Sequence, residues 1–390
     1  MIKNVNEYIG VKKEDFNLIK CIYYIFLISG LVSVSVGLIA PYLKIENDLT
    51  YALTGKLLSA HNIGNLTAIL CAGVLPYAIG RKQSTILLGS GIFLGLLMMI
   101  LLKGPVFLII AFALVGVGRG TMTNVSNVTV SQYSTKKGTA LNSLHATFAI
   151  GALLSPFLIF FSDKLGFNFR LGALLMAAMS FTSIILVSKS KITSSKEKKE
   201  KAGNWSFVRD FKFWLDTMVL FFYLCVESAI IGWFVIYFYD LGILPEIVCN
   251  FTPSMLWVMI MLGRLICANI SNKFDRNILL ITMGLFLTIS FTGLLFSTKA
   301  VFAIISLLGI GFFMSGIYPT TVATMSNTDN PLRMGVSLAL ATSGGVFMPS
   351  IVGKVADAKG IQAGIFTVLF SILIMMILMF IKYIRSTKKV

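Results

Sequence analysis

Charge is scarce in this 390-residue chain: Asp, Glu, Lys and Arg together make up 13% of it, about half the share of an ordinary soluble domain. Histidine occurs twice, at His61 and His145. The five cysteines, Cys21, Cys71, Cys225, Cys249 and Cys267, are scattered and form no Cys-x-x-Cys pair. That excludes a zinc ribbon and a disulfide framework, and leaves the cysteines as small packing residues. No acid or cysteine cluster accompanies the histidines, so neither a metal nor any other cofactor is expected. No GxxxxGK[ST] loop is present, which argues against direct ATP hydrolysis. Enzymatic activity would need a nucleophile with its base, and no such set appears.

Hydrophobic residues, in contrast, fill 56% of the chain, too many to hide in one soluble core of this length. They come in runs of about 20, enough to cross a bilayer as helix. Twelve runs stand out, at 19–43, 53–77, 83–102, 106–130, 139–161, 169–188, 213–238, 250–271, 277–296, 300–325, 334–356 and 361–384. In hydrocarbon each must satisfy its own backbone, so the expected fold is an all-α membrane protein of twelve transmembrane helices. One long polar stretch, "KSKITSSKEKKEKAGNWSFVRDFKF", interrupts them six and six. It predicts a solvated linker at 189–212 between bundles at 1–188 and 213–390. The first twenty residues are polar and of mixed charge, unlike a cleavable signal.

The net charge of +17 is unevenly spread. With the N-terminus inside, 23 Lys and Arg fall on the inner side. Only 7 fall outside: Lys44, Lys103, Lys164, Arg170, Lys299, Lys354 and Lys359. This bias predicts cytoplasmic termini in a cell membrane. The basic residues orient the chain and touch anionic lipid. They form no patch interleaved with exposed aromatics, so nucleic acid is not an expected partner.

The two halves echo each other. "GVGRG" (116–120) is followed by Pro156 forty residues after Gly116, and "GIGFF" (309–313) by Pro349 forty residues after Gly309. Small residues cluster before each proline, in "IGALLSP" and "SGGVFMP", which suits close helix approach. The loops "GVLPYAIGRK" (73–82) and "ANISNKFDRN" (268–277) also correspond.

The first loop resembles the signature of the major facilitator superfamily, matching it at Gly73, Gly80, Arg81 and Lys82, with Tyr77 and Ala78 at the acidic and first basic positions. The second copy keeps Lys273 and Arg276 and carries Asn272 and Asp275. The resemblance implies two pseudo-symmetric six-helix bundles, a cytoplasmic gate at these loops, and a monomer. A closer likeness is to the fucose–galactose–glucose:proton symporters. It rests on "YLCVESAIIGWFVIYF" (223–238), "SMLWVMIMLGRLI" (254–266), "RGTMTNVSNVTV" (119–130), "ALNSLHATFAIGALLSP" (140–156) and "GIYPTTVA" (316–323). It implies sugar as substrate, protons as the coupling ion, and site asparagines at Asn124 and Asn127.

The polar residues inside the spans are the candidates for function. Glu227 falls near the middle of the seventh, where an ionised carboxylate is costly unless paired or hydrated. A group that is neutral when occluded and ionised when wet can carry a proton. It can equally tie two helices together. Tyr223, one turn away, can hydrogen-bond to it. Trp233 would line a cavity only if the span broke, for example at Gly232.

Arg119, in the fourth span, cannot shed its charge. It needs a carboxylate such as Glu227, backbone carbonyls, water or an anionic substrate. Thr123 and Ser126 share its face and Asn127 flanks it. His61, Asn62 and Asn65 in the second span and Asn142 and His145 in the fifth are either substrate contacts or helix ties. Trp257 is a candidate for stacking on a sugar, Arg264 for a gate, and Lys56 for snorkelling to the surface.

These features together predict a secondary transporter of a small polar solute, most readily a sugar, working by alternating access and coupled to protons or Na⁺. An exporter of drugs or organic anions on the same scaffold is the alternative. A channel would need a continuous polar pore, and the polar residues cluster at mid-depth instead.

Overall fold

The protein is represented by a computed structural model describing residues 5–72, 74–190, 192, 205–270, 274–325 and 331–387. Gly73 and Lys273 of the two signature loops lie outside the described residues. Helices dominate. Among the described residues the one β-type contact is an isolated bridge between Val11 and Ser134.

In chain order the long helices are α1 (Phe16–Glu46), α2 (Tyr51–Ala72), α3 (Arg81–Leu101), α4 (Pro105–Tyr133), α5 (Lys137–Lys164) and α6 (Arg170–Lys189). Then follow α7 (Phe211–Leu241), α8 (Glu246–Ile270), α9 (Arg276–Leu295), α10 (Ala300–Met325), α11 (Pro331–Lys359) and α12 (Ile361–Thr387).

Eleven of these are long and apolar enough to cross a membrane. The twelfth, α2, has the length but is diluted by Lys56, Ser59, His61, Asn62, Asn65 and Thr67. Its 22 residues span about 33 Å at 1.5 Å per residue, enough for the hydrocarbon core. It also stops at Ala72, short of the end of the apolar run at 77. Pro76 lacks an N–H and so cannot carry the hydrogen-bond ladder of α2 onward, whereas the first turn of a helix tolerates it. A new short helix, Leu75–Ile79, begins there with proline in its first turn. Gly80, at φ 83°, then turns the chain into α3, a conformation that favours glycine.

Helix ends follow local chemistry. Asp210 caps α7 by accepting from the Lys212 N–H, and Asp275 caps α9 by accepting from those of Asn277 and Ile278. Gly242, left-handed at φ 63°, closes α7. Despite Gly232, α7 runs unbroken through its 31 residues, so Trp233 stays buried in it.

The chain divides into two compact units. One comprises Met1–Tyr42 and Ala60–Glu200, the other Leu43–Ser59 and Lys201–Val390. The end of α1 and the first turns of α2 therefore belong with the C-terminal helices.

In the first unit, glycines let backbones meet. A Cβ on Gly151 of α5 would lie 2.0 Å from the Leu27 carbonyl of α1, and one on Gly116 of α4 would lie 1.9 Å from that of His61 on α2. The second unit repeats the device. A Cβ on Gly344 of α11 would lie 2.2 Å from the Phe221 carbonyl of α7, and one on Gly311 of α10 would lie 2.8 Å from that of Leu256 on α8. Gly151 and Gly344 are 193 residues apart, the interval that also separates Gly116 from Gly309 and Pro156 from Pro349. The sequence echo is thus an echo of helix pairs, α1 with α5 and α7 with α11.

The N-terminal arm is docked on the α4–α5 turn. Ser134 Oγ donates to the Ile9 carbonyl at 2.6 Å and Lys136 Nζ to that of Glu7 at 2.9 Å.

Candidate functional site

Each unit gathers its own set of buried polar groups. In the first, α4 carries Arg119 on the stripe shared with Thr123 and Ser126. The guanidinium donates through Nη1 to Ser33 Oγ of α1 at 3.1 Å. His61 of α2 is buried, its ring hydrogen-bonded to the Phe112 backbone, and its Nδ1 has no partner among the described residues. The Thr123 and Ser126 hydroxyls are buried too, with no partner among the described residues. Asn65 Oδ1 lies against Gly120, where a Cβ would approach it to 2.7 Å. Close approach of α2 and α4 through their glycines brings Arg119, His61 and Asn65 together. Ser33, which the polar-residue pattern did not single out, completes the group.

The other predicted residues of this unit disperse. Asn127 spends its amide on the Thr123 carbonyl one turn back, at 3.0 Å. His145 is exposed and packs edge-on to Phe26, with ring centroids 5.2 Å apart. Asn142 is exposed and Asn62 half-buried.

Asn124 lines a small cavity of about 90 Å³ with Cys71, Arg81, Ser84, Thr85 and Thr121. The loop basics hold neighbouring helices: Arg81 donates to Gln132 of α4 at 2.7 Å and Lys82 to the Ser190 carbonyl after α6 at 3.1 Å.

In the second unit, Tyr223 donates to Glu227 Oε1 across one turn of α7 at 3.0 Å. The Tyr223 ring packs on Tyr318 of α10, centroids 5.6 Å apart. Arg264 of α8 acts electrostatically on both tyrosine hydroxyls, as Glu227 does. An acid, a base and two phenols from three helices thus occupy one region. Trp257 is buried on α8. Trp233 donates its Nε1–H to the Pro349 carbonyl at 3.2 Å, which fixes it to α11. Asp275 is committed to its capping role, and Arg276 opens α9 as an exposed residue.

Two further charge groups escaped the sequence reading. Lys382, which falls among the C-terminal basics by position, is buried on α12. Its Nζ reaches Asp216 Oδ1 of α7 at 2.5 Å and Thr324 Oγ1 of α10 at 3.0 Å. Arg333 of α11 pairs with Asp210 at 2.8 Å and lies over the Phe213 ring. A basic residue at the end of an apolar run looks the same in sequence whether it reaches solvent or turns inward, and only the facing acid distinguishes them.

Helices of bilayer length, paired through glycines in two internally repeated units and holding ionisable groups inside, define a multi-pass membrane carrier. Residues 22–342 match the Major Facilitator Superfamily, and the chain belongs to that family of transporters, which are not enzymes. An uncharacterized MFS-type transporter of Yersinia pestis is 21% identical over 86% of this chain and 88% of its own length. The fold is similar to that of a D-xylose–proton symporter, with a TM-score of 0.76 at 14% identity over 93% of this chain and 97% of the other. It is also similar to that of a nucleoside transporter, with a TM-score of 0.75 at 12% identity over 93% and 99%.

Proposed function

We propose that this transporter moves a small polar solute, most readily a sugar, by alternating access, and that protons drive it through Glu227. In this reading the bundles are 1–188 and 213–390, joined by a cytoplasmic linker at 189–212. Both termini are cytoplasmic, and the protein works as a monomer in the cell membrane. The observation that carries the proposal is Glu227 on a membrane helix, accepting a hydrogen bond from the Tyr223 phenol, with a second phenol, Tyr318, and Arg264 close by. Such a carboxyl can bind a proton when the site is sealed and lose it when water enters. Arg264 balances it in the ionised state. Within the first unit Arg119, His61 and Asn65 supply hydrogen-bond donors and acceptors of the kind a hydroxylated solute requires, and within the second Trp257 supplies an apolar face. The likeness to a D-xylose–proton symporter supports the substrate class at the level of fold.

Purified protein in proteoliposomes, with a pH gradient imposed, tests this. Sugar accumulation is expected for the native chain. Glu227→Gln is expected to abolish gradient-driven accumulation while leaving exchange of internal for external sugar. Accumulation by the Gln variant equal to the native chain would overturn the role of Glu227. Outward movement of organic anions with no sugar uptake would favour the exporter instead.

A further inference from the structure

The second unit carries a folded-back segment ahead of α7. Trp205–Arg209 forms a short 3₁₀ helix that leads into the Asp210 cap. Phe207 is its buried anchor. The ring meets Phe213 edge-on, centroids 4.9 Å apart, and Trp205 stacks on it at 5.8 Å. Trp214 Nε1–H donates to the Val208 carbonyl at 2.8 Å, which closes the fold-back.

The remaining aromatic surface is open: Trp205 is 57%, Phe211 48% and Trp214 39% exposed. Phe211 and Trp214 begin a helix of bilayer length, so they stand at the level where aromatic residues meet headgroups.

The end of α12 brings charge to the same place. Three residues before Arg385, Lys382 is buried on Asp216, which fixes α12 against α7. The Arg385 guanidinium then lies over the Phe211 ring, 3.8 Å from its centroid. Asn277, at the start of α9, donates its side-chain amide to Ser386 Oγ at 3.2 Å, so the neighbouring Arg276 joins this end. Arg209, Lys212, Arg276 and Arg385 are exposed, and none belongs to an ion pair among the described residues. The nearby acids are already engaged: Asp275 caps α9, and Asp210 caps α7 and pairs with Arg333. The sequence predicts no basic patch beside exposed aromatics; packing α12 on α7 makes one, from residues far apart in the chain.

We propose that the start of α7 and the end of α12 form a site for one anionic phospholipid. Arg385 and Lys212 take its phosphate, and Phe211 and Trp214 pack against the upper part of its acyl chains. The guanidinium offers phosphate a planar fork, and the ammonium adds a point charge. Arg385 is already stacked and its helix already anchored, so little freedom is lost on binding. That separates one held lipid from the general attraction of basic residues to an anionic surface. The aromatic half continues into a membrane span, which favours lipid over nucleic acid. The site involves neither the solute nor Glu227, so it stands or falls apart from the transport reading.

Native mass spectrometry tests this on the full chain, purified in detergent and mixed with equal amounts of phosphatidylglycerol and phosphatidylcholine. One phosphatidylglycerol per chain is expected to be retained, about tenfold in excess of phosphatidylcholine. Lys212→Gln with Arg385→Gln is expected to cut that retention about tenfold. Lys103→Gln with Lys299→Gln removes the same charge from exposed lysines elsewhere and is expected to leave it unchanged. Size exclusion confirms that each variant is folded. If the Lys212 and Arg385 double variant fails to fold, Lys212→Gln alone decides, with about a threefold loss expected. Equal retention of the two lipids, parent-level retention by the folded site variants, or an equal loss in the Lys103 and Lys299 control overturns the site. Binding of a single-stranded oligonucleotide that phosphatidylglycerol does not displace would assign the patch to nucleic acid and overturn it too.

Discussion

Asp216 and Glu227 lie eleven residues apart on α7, about three turns, and so share a face. Their surroundings give them different tasks. Asp216 is fully buried against Lys382, and one of its oxygens, Oδ2, has no partner among the described residues. Leu220, between them on the helix, belongs to an apolar layer with Met325 and Ala341, against which Tyr318 packs. Glu227 faces a phenol, whereas Asp216 faces an ammonium.

Removing one member of a buried pair leaves the other charge uncompensated, at a cost of about 3–5 kcal/mol, whereas replacing both with apolar groups is often tolerated. Lys382→Met is therefore expected to lower the thermal unfolding midpoint sharply, and Lys382→Met with Asp216→Leu to recover most of it. Equal losses in the single and double variants would show that the pair is not the cause.

At the scale of the element, glycines and caps decide how helices meet. Gly151→Ala drives a Cβ into a carbonyl at 2.0 Å and must push α1 from α5, whereas a Cβ at Gly138, on the same helix, meets nothing within 4 Å. Gly138→Ala is expected to be neutral or to stabilise by up to about 1 kcal/mol through helix propensity. Gly151→Ala is expected to reduce the yield of folded protein. Comparing folded yields of the two variants by size exclusion checks both.

The start of α7 combines a cap with an ion pair. Burial alone would push the Asp210 carboxyl up, but the Lys212 N–H and the Arg333 guanidinium outweigh it and hold the group below its ordinary value of 3.8. A depressed carboxyl stabilises the fold above that value and loses its contribution as pH falls through the lowered one. Asp210→Asn keeps the cap and removes the charge. Solvent screening limits the ion pair to about 0.2–1 kcal/mol. Asp210→Ala also loses the cap, worth about 0.5–2 kcal/mol. The Ala variant should unfold at the lower temperature at neutral pH. The native advantage over the Asn variant should vanish well below pH 3.8.

At the scale of the whole molecule, the basic bias predicts a linker that faces the cytoplasm. A single cysteine at Ser194 should react with an impermeant maleimide in inside-out vesicles and not in intact cells; the reverse pattern would invert the orientation.

Run length and composition determined the number and place of the helices, because a backbone in hydrocarbon has one economical solution and each span carries it locally. The spacing of Gly116, Pro156, Gly309 and Pro349 likewise exposed the repeat, since small residues mark close crossings wherever they stand. Glu227 with Tyr223 was legible for the same reason: both lie on one helix, one turn apart.

What lay beyond the sequence was every pairing made between helices. Lys382 on Asp216, Arg333 on Asp210, Ser33 beside Arg119 and Tyr318 beside Tyr223 each join groups far apart in the chain. No local period records which acid a given base will face. The tertiary structure alone decided these, because the partner of a buried polar group is set by which helices cross and at what depth.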